Sequence, residues 1–282
     1  MAKVVNYHDA VVYDTDVVLF GEHGWLNDNC INWFFRFLEF DVFPGRGDLL
    51  FMDPAVVSCM MLQCDEPDEF VELGRGIDLE RRNTVFVPIN DASGRLSRGT
   101  HWSLLVFHRQ RGEHESMSFR HYDSSRGHNQ EPAERTAAKF WRLFDGTGAG
   151  DPPYVEHVSD APQQQNGYDC GMYTILLAEH IASEKNGASH AEPAGNRCTT
   201  TVSPTRPPTK TTTTRTCPEG RAGSGTSEGD EGEGKIERVL LSGGDRDDGR
   251  GGRFGGFSAE FVSNARKLAR ERLVKHFRDG SG

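Results

Sequence analysis

The chain has 282 residues, a formal net charge of −10 and no Arg/Lys-rich run interleaved with aromatics. Phosphate contacts need clustered Lys and Arg, so a nucleic-acid partner is not expected. No segment approaches the ~20 apolar residues of a membrane-spanning helix. The opening residues 1–16 are broken by Lys3, Asp9, Asp14 and Asp16, so no signal peptide and no membrane association are expected.

Residues 25–40 carry Ile31, Phe34, Phe35 and Leu38 at helical spacing, with Asn27 or Asp28 as cap. Asp53-Pro54 is a cap followed by proline at the first helical position, and it opens a second helix through Leu62. A short third helix is predicted from Pro67 to Leu73. The pattern then turns to strands at Thr84–Ile89, His101–Phe107 and Ser118–Asp123, with a turn at Arg111-Gly112 before the last. Residues 132–144 are amphipathic through Ala133, Ala137, Phe140, Trp141 and Phe144. A short strand is expected at Tyr154–Val158, and a helix at Asp169–Ala182 with Met172, Ile175, Leu176 and Ile181 on one side. Helices followed by strands, then a helix, a strand and a helix, describe an α+β domain.

Three blocks follow. Residues 1–184 hold most of the apolar side chains and are long enough to bury a core unaided. Residues 185–256 are rich in Thr, Gly, Ser, Pro, Glu and Arg, with one apolar patch at Lys235–Leu241. Such composition cannot offset chain entropy, and disorder is expected there. Residues 257–278 regain a helical period through Phe261, Val262, Ala265, Leu268, Ala269, Leu273 and Phe277, with Ser258 as cap. That helix is expected to dock on the first block, which makes 185–256 an insertion.

The six cysteines Cys30, Cys59, Cys64, Cys170, Cys198 and Cys217 form no CxxC pair and no zinc spacing, so neither a metal nor a disulfide scaffold is expected. A reducing compartment, cytosol or nucleus, follows. Within Pro162-Gln-Gln-Gln-Asn-Gly-Tyr-Asp-Cys170-Gly171 a polar loop delivers Cys170 to the start of an apolar helix, where unpaired N–H groups favour thiolate over thiol. Gly171 is expected to keep the space above the sulfur free. His101 begins a strand and Asp123 ends the strand that should pair with it, so hairpin geometry can unite them as base and orienting acid. The Gln163-Gln164-Gln165 run and the Cys170 N–H are candidate oxyanion donors. Taken singly, each residue has a structural explanation: a buried cysteine, a strand-edge histidine, a turn aspartate, a solvated polar loop. The combination points to nucleophilic catalysis.

That combination resembles a known family. Gln164-x-x-x-x-Asp169-Cys170-Gly171, Thr100-His101-Trp102-Ser103, Tyr122-Asp123-Ser124 and Trp25-Leu26-Asn27-Asp28, in the order His, Asp, Gln, Cys, are similar to the Ulp/sentrin-specific cysteine proteases. Papain-like enzymes place Cys first. Val85–Asp91 and Asn166–Tyr173 carry a further likeness to the family's deneddylases, which act on the modifier Nedd (Rub). The resemblance implies an adenain/Ulp-type fold with a central mixed sheet flanked by helices. It implies Cys170, His101 and Asp123 as triad and Gln164 as oxyanion residue. It further implies that Trp25 and Trp102 wall a channel for a Gly-Gly tail and that Asp28 hydrogen-bonds that tail. No cofactor is implied; the partners would be a ubiquitin-like modifier and its conjugates, handled by a monomer. A longer turn between His101 and Asp123, over Arg109–Ser116, departs from the family. Alternatives are a SUMO- or ubiquitin-specific protease, a His-acid-Cys acetyltransferase of related fold, and a catalytically silent binding module.

Overall fold

In a computed structural model, residues 2–92, 94, 99–148, 150–188, 254 and 256–279 are described, with the side chains of 185–188 and 277–279 excepted. The expected disorder of 185–256, the patch at 235–241, Cys198, Cys217 and the Phe277 side chain therefore lie wholly or largely outside the described residues. A hairpin of β1 (Lys3–Tyr7) and β2 (Ala10–Tyr13) comes first, followed by α1 (Asp14–Leu19) and α2 (Asp28–Phe37). Asn27 caps α2 by accepting from the Cys30 N–H at 3.1 Å. The helical run predicted to reach residue 40 loosens into a π-turn at Leu38–Val42. Then come β3 (Leu49–Phe51), α3 (Pro54–Leu62), α4 (Pro67–Gly76), β4 (Thr84–Asn90), β5 (Trp102–Gln110) and β6 (Ser116–Tyr122). The chain continues through α5 (Gln130–Trp141), β7 (Val155–His157), α6 (Cys170–Ala188) and α7 (Ala259–Asp279).

The main sheet has the order β3-β4-β5-β6-β7. The pairs β4/β5 and β5/β6 are antiparallel, and the two outer pairs are parallel, so the sheet is mixed. Leu104 and Val106 face a core shared with α2, α6 and α7, whereas Leu105 and Phe107 face a second core shared with α5 and the α3–α4 region. A strand covered on both faces needs apolar residues at every position, which explains the unbroken run in β5. The elements not anticipated from sequence are the β1–β2 hairpin, α1 and β3. Each is only three to six residues long, and β3 is identified by its parallel partner β4.

The last helix packs into the first core through Val262, Ala265, Ala269 and Leu273, none more than 1% exposed. Ser258 caps it, accepting from the Phe261 N–H at 3.1 Å. The hairpin between His101 and Asp123 is held down as well. Its strands run to Gln110 and from Ser116. Arg109 is 8% exposed, pairs with Glu80 and Glu115, and lies over the Phe144 ring.

Replacing Leu273 by Ala removes a fully buried side chain from the α7 interface, and a loss of ~2–5 kcal/mol in unfolding free energy is expected. Denaturant titration monitored by tryptophan fluorescence measures it; a change under ~0.5 kcal/mol would show that α7 contributes little to the core.

Candidate active site

The register of β5 and β6 determines which side chains meet. Leu104 lies opposite Tyr122, so the residue after Tyr122 falls beside Ser103. His101, two positions back, shares a face with Ser103. Diagonal positions on one face are about 7–8 Å apart, within reach of an imidazole and a carboxylate. His101 Nε2 donates to Asp123 Oδ1 at 2.7 Å, and the two residues are 4% and 7% exposed.

Asp123 is saturated with donors. Its Oδ1 also accepts from the Ser125 N–H and its Oδ2 from the Asn129 N–H, each at 2.9 Å. Burial raises its pKa, but the bonds from His101, Asn129 and Ser125 outweigh that and hold the carboxyl below its ordinary value. Asn129 also uses its side-chain amide to tie strands together, donating to Ser103 Oγ at 3.1 Å and to the His101 carbonyl at 3.3 Å. Behind this lies a second polar chain: His121 bonds Ser103 Oγ at 2.9 Å and His157 at 3.0 Å, and His157 bonds Glu134 at 3.1 Å. Burial keeps His121 neutral, with a pKa near 4.

The strand entry to His101 is pinned by Asp91, which accepts from the His101 N–H at 2.9 Å and from Thr100 Oγ1 at 2.6 Å. Although burial opposes it, these donors, the Thr100 N–H and His128 lower its pKa to about 2. Gly99 (φ +65°) precedes this clamp, and a Cβ there would sit 1.8 Å from Asn90 Oδ1. Asp91 and Asn129 were not singled out from sequence. Both act through backbone groups of residues distant in the chain, and a linear pattern carries no sign of that.

Cys170 is the first residue of α6, a helix that crosses β5. The Tyr173 N–H bonds the Asp169 carbonyl at 2.9 Å. The N–H groups of the first turn are thus left over, as at any helix start. Burial alone would push the His101 ring toward neutrality. The hydrogen bond and charge of Asp123, with a further contribution from the Cys170 sulfur, reverse this and raise its pKa to about 9. The ring thus has its carboxylate partner at 2.7 Å, and the Cys170 sulfur bears on its protonation. Cys30 is a second buried thiol. It too sits in the first turn of a helix, yet burial and the charges of Asp16 and Asp28 push its thiol up to about 12. A helix terminus alone does not make a nucleophile.

Gly171 serves a purpose different from the one expected. A Cβ there would lie 2.9 Å from Leu26 Cβ. The space beside Gly171 is thus occupied by Leu26, whose carbonyl accepts from Trp102 Nε1 at 2.9 Å. Cys170 is 3% exposed.

The three glutamines differ in their partners, although all three line one depression. Gln163 donates to the Asp123 and Ala161 carbonyls at 2.8 and 2.9 Å, and its Oε1 accepts from the Arg126 N–H at 3.0 Å. Gln165 is exposed. Gln164 is held by Ser124, whose hydroxyl donates to its Oε1 at 2.7 Å, while its amide donates to the Asn166 carbonyl at 2.6 Å. Trp25, His101 and Gln164 line one depression of about 650 Å³. Asp28 and Trp102 line another of about 1050 Å³, so the residues assigned to substrate divide between two depressions. Trp25 is 50% exposed and Trp102 8%.

Residues 74–193 match the profile of the Ulp1 protease family, C-terminal catalytic domain. Sentrin-specific protease 8 of Homo sapiens is 35% identical over 180 residues, spanning 63% of this chain and 80% of that one. The chain belongs to the Ulp1 family. NEDD8-specific protease 1 of Arabidopsis thaliana is 28% identical over 181 residues, covering 64% of this chain and 75% of that one. The solved structure of the yeast Ulp1 protease domain in complex with Smt3 superposes with a TM-score of 0.50 at 17% identity, covering 65% of this chain and 77% of that one. It shares the α+β fold. The protein is accordingly a cysteine-type peptidase of the Ulp1 family.

The raised pKa of His101 has a consequence for stability. Below its ordinary value of 6.5 both folded and unfolded chains hold the proton; between 6.5 and about 9 only the folded chain does. Its contribution is therefore complete below 6.5 and is lost as pH rises through about 9. The denaturation midpoint of the wild type should fall over this window by more than that of His101→Ala; equal falls would refute the assignment.

Proposed function

We propose that Cys170, His101, Asp123 and Gln164 form the catalytic set, and that the preferred substrate is a Nedd-type modifier ending in Gly-Gly. The single observation carrying the catalytic assignment is the buried His101–Asp123 hydrogen bond at 2.7 Å, on a ring whose pKa the Cys170 sulfur helps to raise. The preference for Nedd rests on similarity to proteins called Sentrin-specific protease 8 and NEDD8-specific protease 1.

The modifier's tail lies in the groove lined by Asp28 and Trp102 and passes the Trp25 edge to reach the thiol. Cys170 is nearly buried and Leu26 packs close against the neighbouring Gly171, which leaves little room for side chains and suits consecutive glycines. Asp28 lies at that groove and is placed to accept from a backbone N–H of the tail. The depression holding Trp25, His101 and Gln164 receives the leaving side.

Cys170 sulfur attacks the carbonyl carbon of the terminal glycine as a thiolate, with His101 as imidazolium. The carbonyl π pair moves to oxygen, where the Gln164 amide and the Cys170 N–H stabilise it. Collapse breaks the C–N bond, and His101 passes its proton to the departing amine, a lysine Nζ in a conjugate or a peptide nitrogen in a precursor. Water, deprotonated by His101, then attacks the thioester and releases the modifier carboxylate and the thiol. Asp123 holds the ring in the orientation that serves both steps. Such thiol chemistry suits a reducing compartment, cytosol or nucleus.

Electrophilic C-terminal probes of Nedd, SUMO and ubiquitin discriminate the readings. The Nedd probe should form the dominant adduct at Cys170. A dominant SUMO or ubiquitin adduct would redirect the specificity, and no adduct with any would favour the acetyltransferase or a silent module. Cys170→Ala should abolish cleavage while retaining modifier binding; near-normal turnover would refute the mechanism. Gln164→Ala should lower kcat by about 10²–10³ with little change in KM, and a loss under threefold would remove Gln164 from the oxyanion site.

A further inference from the structure

The C-terminal helix sends one charged side chain into the site region. Arg266 is 4% exposed, and its single guanidinium bonds two separate chain segments. Its Nη1 donates to the Leu19 and Gly24 carbonyls, each at 2.9 Å, on the turn that leads into Trp25 and Leu26. Its Nη2 donates to Asp169 Oδ1 at 2.6 Å and to the Tyr168 carbonyl at 3.1 Å, and its Nε also reaches Asp169 Oδ1, at 3.1 Å. Asp169 immediately precedes Cys170. Its other oxygen accepts from Asn166 Nδ2 at 2.7 Å, and the Asn166 carbonyl accepts from Gln164 Nε2 at 2.6 Å. One cation thus bridges the turn carrying Trp25 and Leu26 to the turn carrying Gln164 and Cys170.

A buried ion pair is weak evidence of stabilisation, because desolvating two charges offsets most of their attraction. What a guanidinium does, and an apolar side chain cannot, is hold a carboxylate and several carbonyls at fixed angles simultaneously. The two segments it joins already meet at closest packing. A Cβ on Gly171 would lie 2.9 Å from Leu26 Cβ. Any drift of one turn against the other therefore displaces Leu26 relative to Cys170, and Gln164 moves with the Asn166 turn.

We propose that Arg266 is a positioning residue of the peptidase: it sets the register between the Trp25–Leu26 wall and the turn bearing Gln164 and Cys170, and so governs turnover without touching substrate. This rests on the catalytic assignment made above. It also makes a competent nucleophile depend on residues following the 185–256 stretch, nearly a hundred positions after Cys170.

The test compares Arg266→Lys, the double variant Arg266→Met/Asp169→Asn and Leu273→Ala, using a fluorogenic modifier substrate, with active sites counted by an electrophilic modifier probe. The double variant removes both charges, so no uncompensated carboxylate stays buried. Misplacement of about 1 Å can lower rates by 10²-fold; kcat per titrated site should accordingly fall about 10²-fold in the double variant and about tenfold in Arg266→Lys, with KM within about threefold of wild type. Leu273→Ala weakens the same helix without touching either turn. It should lose thermal stability yet keep kcat per titrated site, a separation that a merely structural Arg266 would not show.

The inference is overturned if the double variant stays within twofold of wild type per site, or if Leu273→Ala loses as much per site as the Arg266 variants. Should the double variant not fold, Arg266→Lys decides by the same twofold criterion. A wild type that cleaves no modifier overturns the peptidase reading and this inference together. Normal wild-type turnover with unaffected Arg266 variants overturns the inference alone.

Discussion

An imidazole held between a carboxylate and a sulfur is the interaction around which the rest of this structure is arranged. His101 is 4% exposed, and burying a protonated ring is unfavourable unless opposite or hydrogen-bonding partners surround it. Asp123 supplies the charge, and Asp123 is itself kept ionised by His101 and two backbone N–H donors. The Cys170 thiol supplies the second partner. Without either, desolvation would drive the ring neutral, as it does for His121 two residues before Asp123.

Much of the scaffold holds that triple in register. The two cores clamp β5 from both faces, so the strand cannot slide without moving Leu104, Val106, Leu105 and Phe107 out of their packing. Asp91 fixes the backbone just before β5, and Asn129 fixes the chain just after β6. Cys170, the proposed nucleophile, comes from a different layer, the start of α6. Its placement depends on helix–sheet packing and on the Leu26–Gly171 contact, not on strand pairing.

The contrast between Cys30 and Cys170 separates two ideas that are easily merged. Both thiols occupy the first turn of a helix, and both are buried. Cys30 faces its own helix cap and the Asp16 carbonyl, at 3.6 Å, and is pushed toward the protonated form. Cys170 faces a proton acceptor that can exchange with it. Helix polarity biases a site, and the neighbouring imidazole gives it a use.

The main helices, the inner strands of the sheet and the loop-to-helix delivery of Cys170 are legible in the residues, because periodicity and capping are local properties. The motifs holding His101, Asp123, Gln164 and Cys170, the set proposed for catalysis, are likewise readable in order along the chain. Other features required tertiary structure. Three adjacent glutamines look alike in a line of letters; only the folded turn ties Gln163 to the Asp123 carbonyl, leaves Gln165 exposed and holds Gln164 beside Ser124. The short strand β3 and the hairpin β1–β2 carry too few residues for a period to declare itself. Asp91, Asn129 and Arg266 act on backbone groups up to 247 positions away. A side chain's pattern in sequence encodes the face it presents, whereas its distant partners are decided only when sheet register and helix packing bring the chain back upon itself.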